Sequence, residues 1–133
     1  MIYGIGTDII EIERVKNAMT KGFCKRFFSE RENAYFAEKN MRSETVAGNF
    51  AAKEAFSKAL GTGISGFALK DVEVLRDGHG KPYIELENRL KERLEGCKIF
   101  VSISHCRDYA TAVAVIEKES YYESLLCAGN ARY

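Results

Sequence analysis

Residues 46–61, VAGNFAAKEAFSKALG, predict a long central helix around which the rest of the fold is expected to pack. At about 100° per residue, a helix places Glu54 and Lys58 in the same sector as Ala47 and Phe50. A charged pair then lies within an apolar stripe. One interpretation is a surface pair four residues apart, worth about 0.2–0.5 kcal/mol. We favour another, in which small alanines admit a second chain or a ligand, because burying such a pair without a partner is costly.

The sequence before this helix predicts one strand and two helices. Residues 2–10 are β-branched and apolar, which indicates a buried strand, and helical spacing begins at Ile12. Ser29 and Glu32 form a capping-box pattern, which predicts a helix start there. The central helix is expected to begin at Ser43 and to end at Gly61.

The sequence after the central helix predicts two hairpins separated by a short helix. The glycines of DGHG, residues 77–80, supply the positive φ angles that a hairpin turn requires. The predicted strands are 72–75, 82–86, 99–105 and 109–116, and the predicted helix is 86–94. We therefore expect a single α+β domain over residues 1–133 with a largely antiparallel sheet. Residues 118–133 form a tail, interpreted as a terminal helix or a docking segment.

Composition excludes several classes of protein. The chain has 133 residues, 46% of them hydrophobic, which is enough for one core. Its 20 basic and 19 acidic residues nearly cancel, which argues against nucleic acid or a membrane surface as a partner. The four cysteines show no metal-ligand spacing, and no apolar run approaches the length of a membrane span. We expect a cytoplasmic protein with reduced thiols.

Asp8 interrupts an apolar strand, a position at which aspartate is disfavoured. One interpretation is a helix cap, with Glu11 completing a capping box. The other is a ligand for a hard cation, because proteins bind Mg²⁺ through one or two carboxylates and leave the other positions to water and phosphate. Asp8 and Glu54 together would supply those carboxylates.

His105 ends a predicted strand and shares its face with Ile103. It is interpreted either as a core histidine or as a contact for phosphate or a proton, and its place beside a turn favours the second. Lys81 follows two glycines and is a second candidate phosphate contact. Residues 4–9 lack the last glycine of a dinucleotide-binding fingerprint, so a nucleotide would have to be held in another way.

Three motifs together resemble the holo-acyl-carrier-protein synthase family, the short type of the 4′-phosphopantetheinyl transferase superfamily. They are GIGTDI at 4–9, FAAKEAFSKA at 50–59 and SISH at 102–105, and both their order and their spacing match. The fold that the resemblance implies is the transferase fold, α+β with a largely antiparallel sheet packed with a long central helix.

The resemblance implies transfer of 4′-phosphopantetheine from coenzyme A to a serine of apo acyl carrier protein, with release of adenosine 3′,5′-bisphosphate. On the matching positions, Asp8 and Glu54 would bind Mg²⁺, and Lys58 would neutralise the phosphate under attack. Phosphoryl transfer depends mainly on positioning and electrostatic stabilisation, which this set supplies. Glu54, a metal-bound water and His105 remain candidates for the general base, and a pyrophosphate contact is favoured for His105.

The resemblance also places a turn beside coenzyme A. The turn residues Gly80, Lys81 and Pro82 would wall the coenzyme pocket. Asn49 departs from the family pattern, in which a basic residue often precedes the phenylalanine of the middle motif. One contact to the 3′-phosphate is therefore in question, with Arg42 or another basic residue as a substitute.

Short members of the family form homotrimers with active sites at subunit boundaries, so we expect a homotrimer here. The resemblance implies that one protomer gives Asp8 while another gives Glu54 and Lys58. Carrier proteins are acidic, so a basic docking face is expected on the helix after Asp8, with a solvated basic face as the alternative. The candidate docking residues are Arg14, Lys21 and Lys25.

Two other functions stay open at this point. A metal-dependent phosphohydrolase would use Asp8 and Glu54 with water as the nucleophile. A non-catalytic module would bind a nucleotide or a carrier protein with the same fold. The presence of Asp8, Glu54 and Lys58 together argues against the binding module.

Overall fold

A three-stranded antiparallel sheet, a two-stranded hairpin and one long helix form the frame of the protein. The computed structural model describes residues 1–61 and 67–119. The sheet has the order β1-β5-β4, while β2 pairs with β3. The elements are β1 (Ile2–Glu11), α1 (Ile12–Met19), α2 (Phe23–Phe27), α3 (Glu30–Glu38), α4 (Ser43–Leu60), β2 (Val72–Arg76), β3 (Pro82–Leu86), α5 (Asn88–Arg93), β4 (Cys97–His105) and β5 (Tyr109–Lys118). The predicted α+β class, antiparallel sheet and long central helix are confirmed, and the tail lies outside the described residues from position 120 onward.

Local sequence signals set the ends of the helices as predicted. The Ser29 side chain accepts a hydrogen bond from the backbone N–H of Glu32, and the Glu32 carboxylate accepts one from the N–H of Ser29. This reciprocal box starts α3. α4 ends at Gly61, whose φ of 84° is the left-handed conformation that glycine adopts without a steric cost.

Two glycines let β1 lie directly against α4. A Cβ atom at Gly4 would sit 1.8 Å from the carbonyl oxygen of Ala59, and one at Gly6 would sit 2.0 Å from that of Ala55. Any side chain at either position would therefore push the strand away from the helix. The alanines of α4 make room for the chain's own sheet rather than for the second chain or the ligand that the sequence suggested.

The sheet has one covered face and one exposed face. The α4 side carries buried residues such as Ala112 and Ala114 of β5, whereas Ile5 and Ile9 of β1 are 64% and 67% exposed on the other side. Phe100 of β4 is 50% exposed and joins Ile5 through the cross-strand partner Val115. The prediction of a buried first strand was therefore wrong within one chain, because only one face of β1 packs on the core.

A buried ion pair ties α3 to α4. Lys53 and Glu32 have fully buried side chains, and Lys53 Nζ lies 2.5 Å from Glu32 Oε1. The ammonium group also donates to the carbonyl oxygens of Phe27 and Leu69, at 3.0 Å and 2.9 Å, so its three donors are all used. Burial raises the pKa of Glu32 and lowers that of Lys53, and each charge opposes the shift of the other.

A second set of polar contacts fixes the β2–β3 hairpin. Arg31 of α3 donates through Nη2 to Glu73 Oε1 on β2 at 2.6 Å and to Glu85 Oε2 on β3 at 2.7 Å. Glu73 also accepts a hydrogen bond from the Ser29 hydroxyl at 2.7 Å. Its pKa is held below the usual range, first by the hydrogen bonds from Arg31. The hairpin, and with it the turn at Gly80, is thereby anchored to α3.

Candidate active site

Asp8 and Lys58 meet at the edge of the sheet where β1 runs along α4. Lys58 Nζ lies 3.2 Å from Asp8 Oδ1 and donates to the carbonyl oxygen of Thr7 at 2.9 Å. The Asp8 side chain is 17% exposed and that of Lys58 is 57% exposed. Asp8 thus points from the strand toward the helix, and Lys58 covers it from the solvent side.

Glu54 lies one turn before Lys58 on α4 and is half-buried. Desolvation is the main cause that raises the pKa of Glu54, the negative charge of Asp8 raises it further, and Lys58 lowers it. Two carboxylates therefore share one lysine. The cluster of Asp8, Glu54 and Lys58 therefore carries a net negative charge, and because it is open to solvent it is suited to bind a cation.

Three sequence interpretations of this cluster are corrected by its geometry. Asp8 does not cap a helix, because α1 begins at Ile12 after an N-cap at Glu11 that makes no side-chain bond. Glu54 and Lys58 are not a buried pair, since Lys58 turns to Asp8 and is exposed. The expected division of Asp8 from Glu54 and Lys58 between two protomers is also wrong, because one chain brings all three together.

The carboxylates fit magnesium by their chemistry and number. Among residues 1–61 and 67–119, no group of three or more His, Cys, Asp or Glu side chains is placed to hold a metal ion. Asp8 and Glu54 alone offer two hard oxygen ligands. This matches Mg²⁺, which keeps waters and takes substrate phosphates as further ligands, and does not match a closed zinc site.

His105 lies in a second place, where it lines a cavity of about 200 Å³. Gly80 and Pro82 of the hairpin turn line the same cavity, as do Glu44, Thr45 and Gly48 of the first turns of α4. His105 is exposed, so the interpretation as a core histidine is wrong. Lys81 is exposed in the same turn, where its N–H donates to Asp77 Oδ1 at 2.9 Å.

The chain therefore forms two clusters rather than one site. The carboxylate cluster contains Asp8, Glu54 and Lys58, and the cavity cluster contains His105, Gly80 and Pro82. Ten residues of α4 separate Glu44 from Glu54, which corresponds to about 15 Å along the helix axis.

A comparison with family models shows the family to which the chain belongs. Residues 4–114 match the model described as the 4′-phosphopantetheinyl transferase superfamily. The chain belongs to the 4′-phosphopantetheinyl transferase superfamily.

Individual relatives of this transferase agree with that assignment. A holo-[acyl-carrier-protein] synthase of Clostridium perfringens is 52% identical over 130 residues, covering 91% of this chain and 98% of the relative. A solved holo-(acyl-carrier-protein) synthase from Bacillus anthracis, in complex with CoA (3′,5′-ADP), has a TM-score of 0.78 at 38% identity and covers 90% of this chain and 99% of that one. The Helicobacter pylori synthase in complex with coenzyme A has a TM-score of 0.77 at 32% identity, with 85% and 99% covered.

The candidate docking residues of this transferase lie on two helices instead of one. α1 ends at Met19, and α2 begins after Gly22, whose φ is 81°. Arg14 is on α1, Lys21 lies in the turn, and Lys25 is on α2, and all three are exposed. The expectation of one helical face is corrected by this break, while the role in docking stays a prediction.

Arg76 and Asn49 were not predicted as part of the site. Arg76 lines the cavity that contains His105, and its Nη2 donates to Asn49 Oδ1 at 2.8 Å. Asn49 is fully buried and also donates to the carbonyl oxygen of Val74 at 3.0 Å. The only feature of the sequence that pointed to either residue was the presence of Asn49 where the family pattern often has a basic residue.

The remaining expectations concern thiols and membranes. Cys24, Cys97 and Cys106 are free thiols, and Cys127 lies outside the described residues. Among the helices that the structure describes, none has both the length and the apolar character needed to cross a membrane.

Proposed function

We propose that this chain transfers the 4′-phosphopantetheine group of coenzyme A to a serine hydroxyl of apo acyl carrier protein and releases adenosine 3′,5′-bisphosphate. The observation that carries the proposal is the cluster of Asp8, Glu54 and Lys58, in which two carboxylates and an exposed lysine share one edge of the sheet. The names of the relatives, holo-acyl-carrier-protein synthases with coenzyme A in solved complexes, support the same reaction.

Asp8 and Glu54 would hold Mg²⁺, which when bound supplies charge stabilisation at the phosphate oxygens. Lys58 contributes a second positive charge from its exposed Nζ, whose present partners are Asp8 and the Thr7 carbonyl oxygen. Since the transition state of phosphoryl transfer spreads negative charge over its oxygens, a positioned cation lowers its free energy without covalent chemistry. Removal of Lys58 should therefore affect turnover more than coenzyme A binding.

The cavity cluster would bind the nucleotide end of coenzyme A. His105 is exposed and lines a cavity with the turn residues Gly80 and Pro82, where a phosphate group could reach it, and Lys81 is exposed in the same turn. His105 lines the same cavity as Glu44, which lies ten residues before Glu54 on α4, about 15 Å along the helix axis. Because its side chain is exposed in this cavity, we assign it to phosphate binding.

We also propose a homotrimer in which each active site joins the carboxylate cluster of one protomer to the cavity cluster of its neighbour. An apolar row, with Ile5 and Phe100 exposed on either side of the half-buried Val115, supports a contact between copies, because large exposed apolar patches mark interaction surfaces. The two clusters are also far apart within a chain, and a neighbouring copy is one means of bringing them to the same ligand.

The experiment follows adenosine 3′,5′-bisphosphate by chromatography after coenzyme A and Mg²⁺ are added with apo carrier protein, without it, or with a carrier protein whose acceptor serine is replaced by alanine. Release that needs the intact serine is the expected result. Release that proceeds equally in all three samples would establish a phosphohydrolase and reject the transferase.

A further inference from the structure

Arg76 places a guanidinium group in the cavity that contains His105, on the strand that leads into the hairpin turn. Nη2 donates to Asn49 Oδ1 at 2.8 Å, and Nη1 makes a long contact of 3.5 Å with the carbonyl oxygen of Leu75. The group also lies over the ring of Tyr35, 5.2 Å from its centroid. A guanidinium has five N–H donors, so most of them have no partner in these contacts.

The charge of Arg76 has no carboxylate partner within the part of the chain that the structure describes. Every ion pair found there joins other residues. Arg76 is half-buried, and burial lowers its pKa, with Tyr35 and Glu32 opposing the shift. Burying half of an unpaired guanidinium costs desolvation free energy, and a bound anion would offset that cost.

The surroundings of Arg76 favour an anion with the size and charge of a phosphate group. His105 shares the cavity, and the first turn of α4 begins there, so the positive end of an eighteen-residue helix faces the same space. Glu44 is the opposing charge in the lining, but its carboxylate is held by Arg42 Nε at 3.0 Å. The cavity of about 200 Å³ has room for a phosphate group.

Asn49 explains why the guanidinium stays at this place. Asn49 is fully buried, its amide nitrogen donates to Val74 O, and its Oδ1 is thereby turned toward Arg76. An uncharged, buried amide on α4 thus fixes a cation that comes from strand β2. Where the family pattern often has a basic residue, this chain has Asn49, whose side chain positions the guanidinium of Arg76.

We propose that Arg76, held by Asn49, is a substrate-binding residue that contacts a phosphate group of coenzyme A in this cavity. The proposal rests on the proposed function and extends it, because Arg76 is not one of the residues that the motifs single out. Two phosphate groups of the substrate share this chemistry, the 3′-phosphate of the ribose and the pyrophosphate. A ligand that lacks the 3′-phosphate separates them.

The test measures the Kd of coenzyme A and of 3′-dephospho-coenzyme A by calorimetry for the wild type, Arg76→Leu and Arg76→Gln. Arg93→Leu, which removes an exposed arginine of α5 outside this cavity, is the matched control. Charge-assisted hydrogen bonds of this kind correspond to a loss of about tenfold or more in affinity for coenzyme A. Thermal melting establishes whether each variant is folded. If Arg76→Leu is not folded, Arg76→Gln is the variant whose affinity is compared with the wild type.

Each outcome decides the proposal. Weaker binding of coenzyme A alone, with 3′-dephospho-coenzyme A unchanged, supports a 3′-phosphate contact, and weaker binding of both supports a pyrophosphate contact. Folded Arg76 variants that bind coenzyme A within about twofold of Arg93→Leu would overturn this inference, while transfer to carrier protein by the wild type would leave the proposed function standing. A wild type that neither binds coenzyme A nor transfers its arm would overturn both.

Discussion

Replacing Lys53 by methionine should destabilise the protein severely while leaving the chemistry of the folded fraction intact. The substitution keeps the length of the side chain but removes the partner of the Glu32 carboxylate and the donor for the carbonyl oxygens of Phe27 and Leu69. Breaking a fully buried ion pair in this way costs about 3–5 kcal/mol, which is a large part of the 5–15 kcal/mol that stabilises a typical domain. Lys53 lies beside Glu54 in the sequence, but its ammonium group is entirely engaged in the core.

The assay is urea denaturation at pH 7 and pH 5, with Glu32→Gln/Lys53→Met as the matched control. Without Lys53, the pKa of the buried Glu32 stays above its unfolded value, because desolvation is no longer opposed by a cation. Stability that depends on such a group is present below the unfolded pKa and is lost as the pH rises through the folded pKa. The deficit of Lys53→Met should therefore be smaller at pH 5 than at pH 7, and the double variant should recover part of it. A deficit below about 1 kcal/mol at both pH values would refute the buried ion pair as described.

Three further predictions follow from the site. Mixing the inactive variants Glu54→Ala and His105→Ala should restore activity to about a quarter of wild type. Each variant keeps one of the two clusters intact, and in a randomly mixed cyclic trimer about a quarter of the subunit boundaries join an intact carboxylate cluster to an intact cavity cluster. No recovery after subunit exchange would contradict the shared site. Glu54→Gln should stabilise the metal-free protein at neutral pH by up to about 0.5 kcal/mol and so raise its Tm, because the desolvation of the Glu54 charge and its repulsion from Asp8 are both removed; a lower Tm in calorimetry would contradict this reasoning. Charge reversal of Arg14 and Lys21 should raise the KM for carrier protein at least about tenfold and leave coenzyme A binding unchanged; an unchanged KM would reject the docking surface.

Signals within a few residues of one another predicted the helices and turns well. The Ser29–Glu32 box, the terminal Gly61 and the turn around Gly80 are local features, so the sequence around each is sufficient to specify it. The sequence also predicted a special role for Asp8, because aspartate is disfavoured within an apolar strand. What could not be predicted was the position of Lys58 against Asp8 in the same chain, because that contact depends on how closely strand and helix approach.

The close approach of β1 and α4 does have a signal in the sequence, namely the two glycines of the first strand. Gly4 and Gly6 resemble the start of a nucleotide-binding fingerprint that the sequence does not complete, whereas in the structure they let β1 pack directly on α4. The contact between Asn49 and Arg76 joins residues 27 positions apart on a helix and a strand. No periodicity of the sequence specifies such a pair, and only the packing of the hairpin on α4 brings it together.

Transfer to carrier protein is tested most directly by the intact mass of purified apo acyl carrier protein after incubation with this protein, coenzyme A and Mg²⁺, beside a Glu54→Ala sample and a sample with chelator. We expect a gain of one phosphopantetheine group in the first sample and none in the other two. An unchanged mass of the carrier protein in the first sample, with the protein folded and coenzyme A consumed, would contradict this expectation.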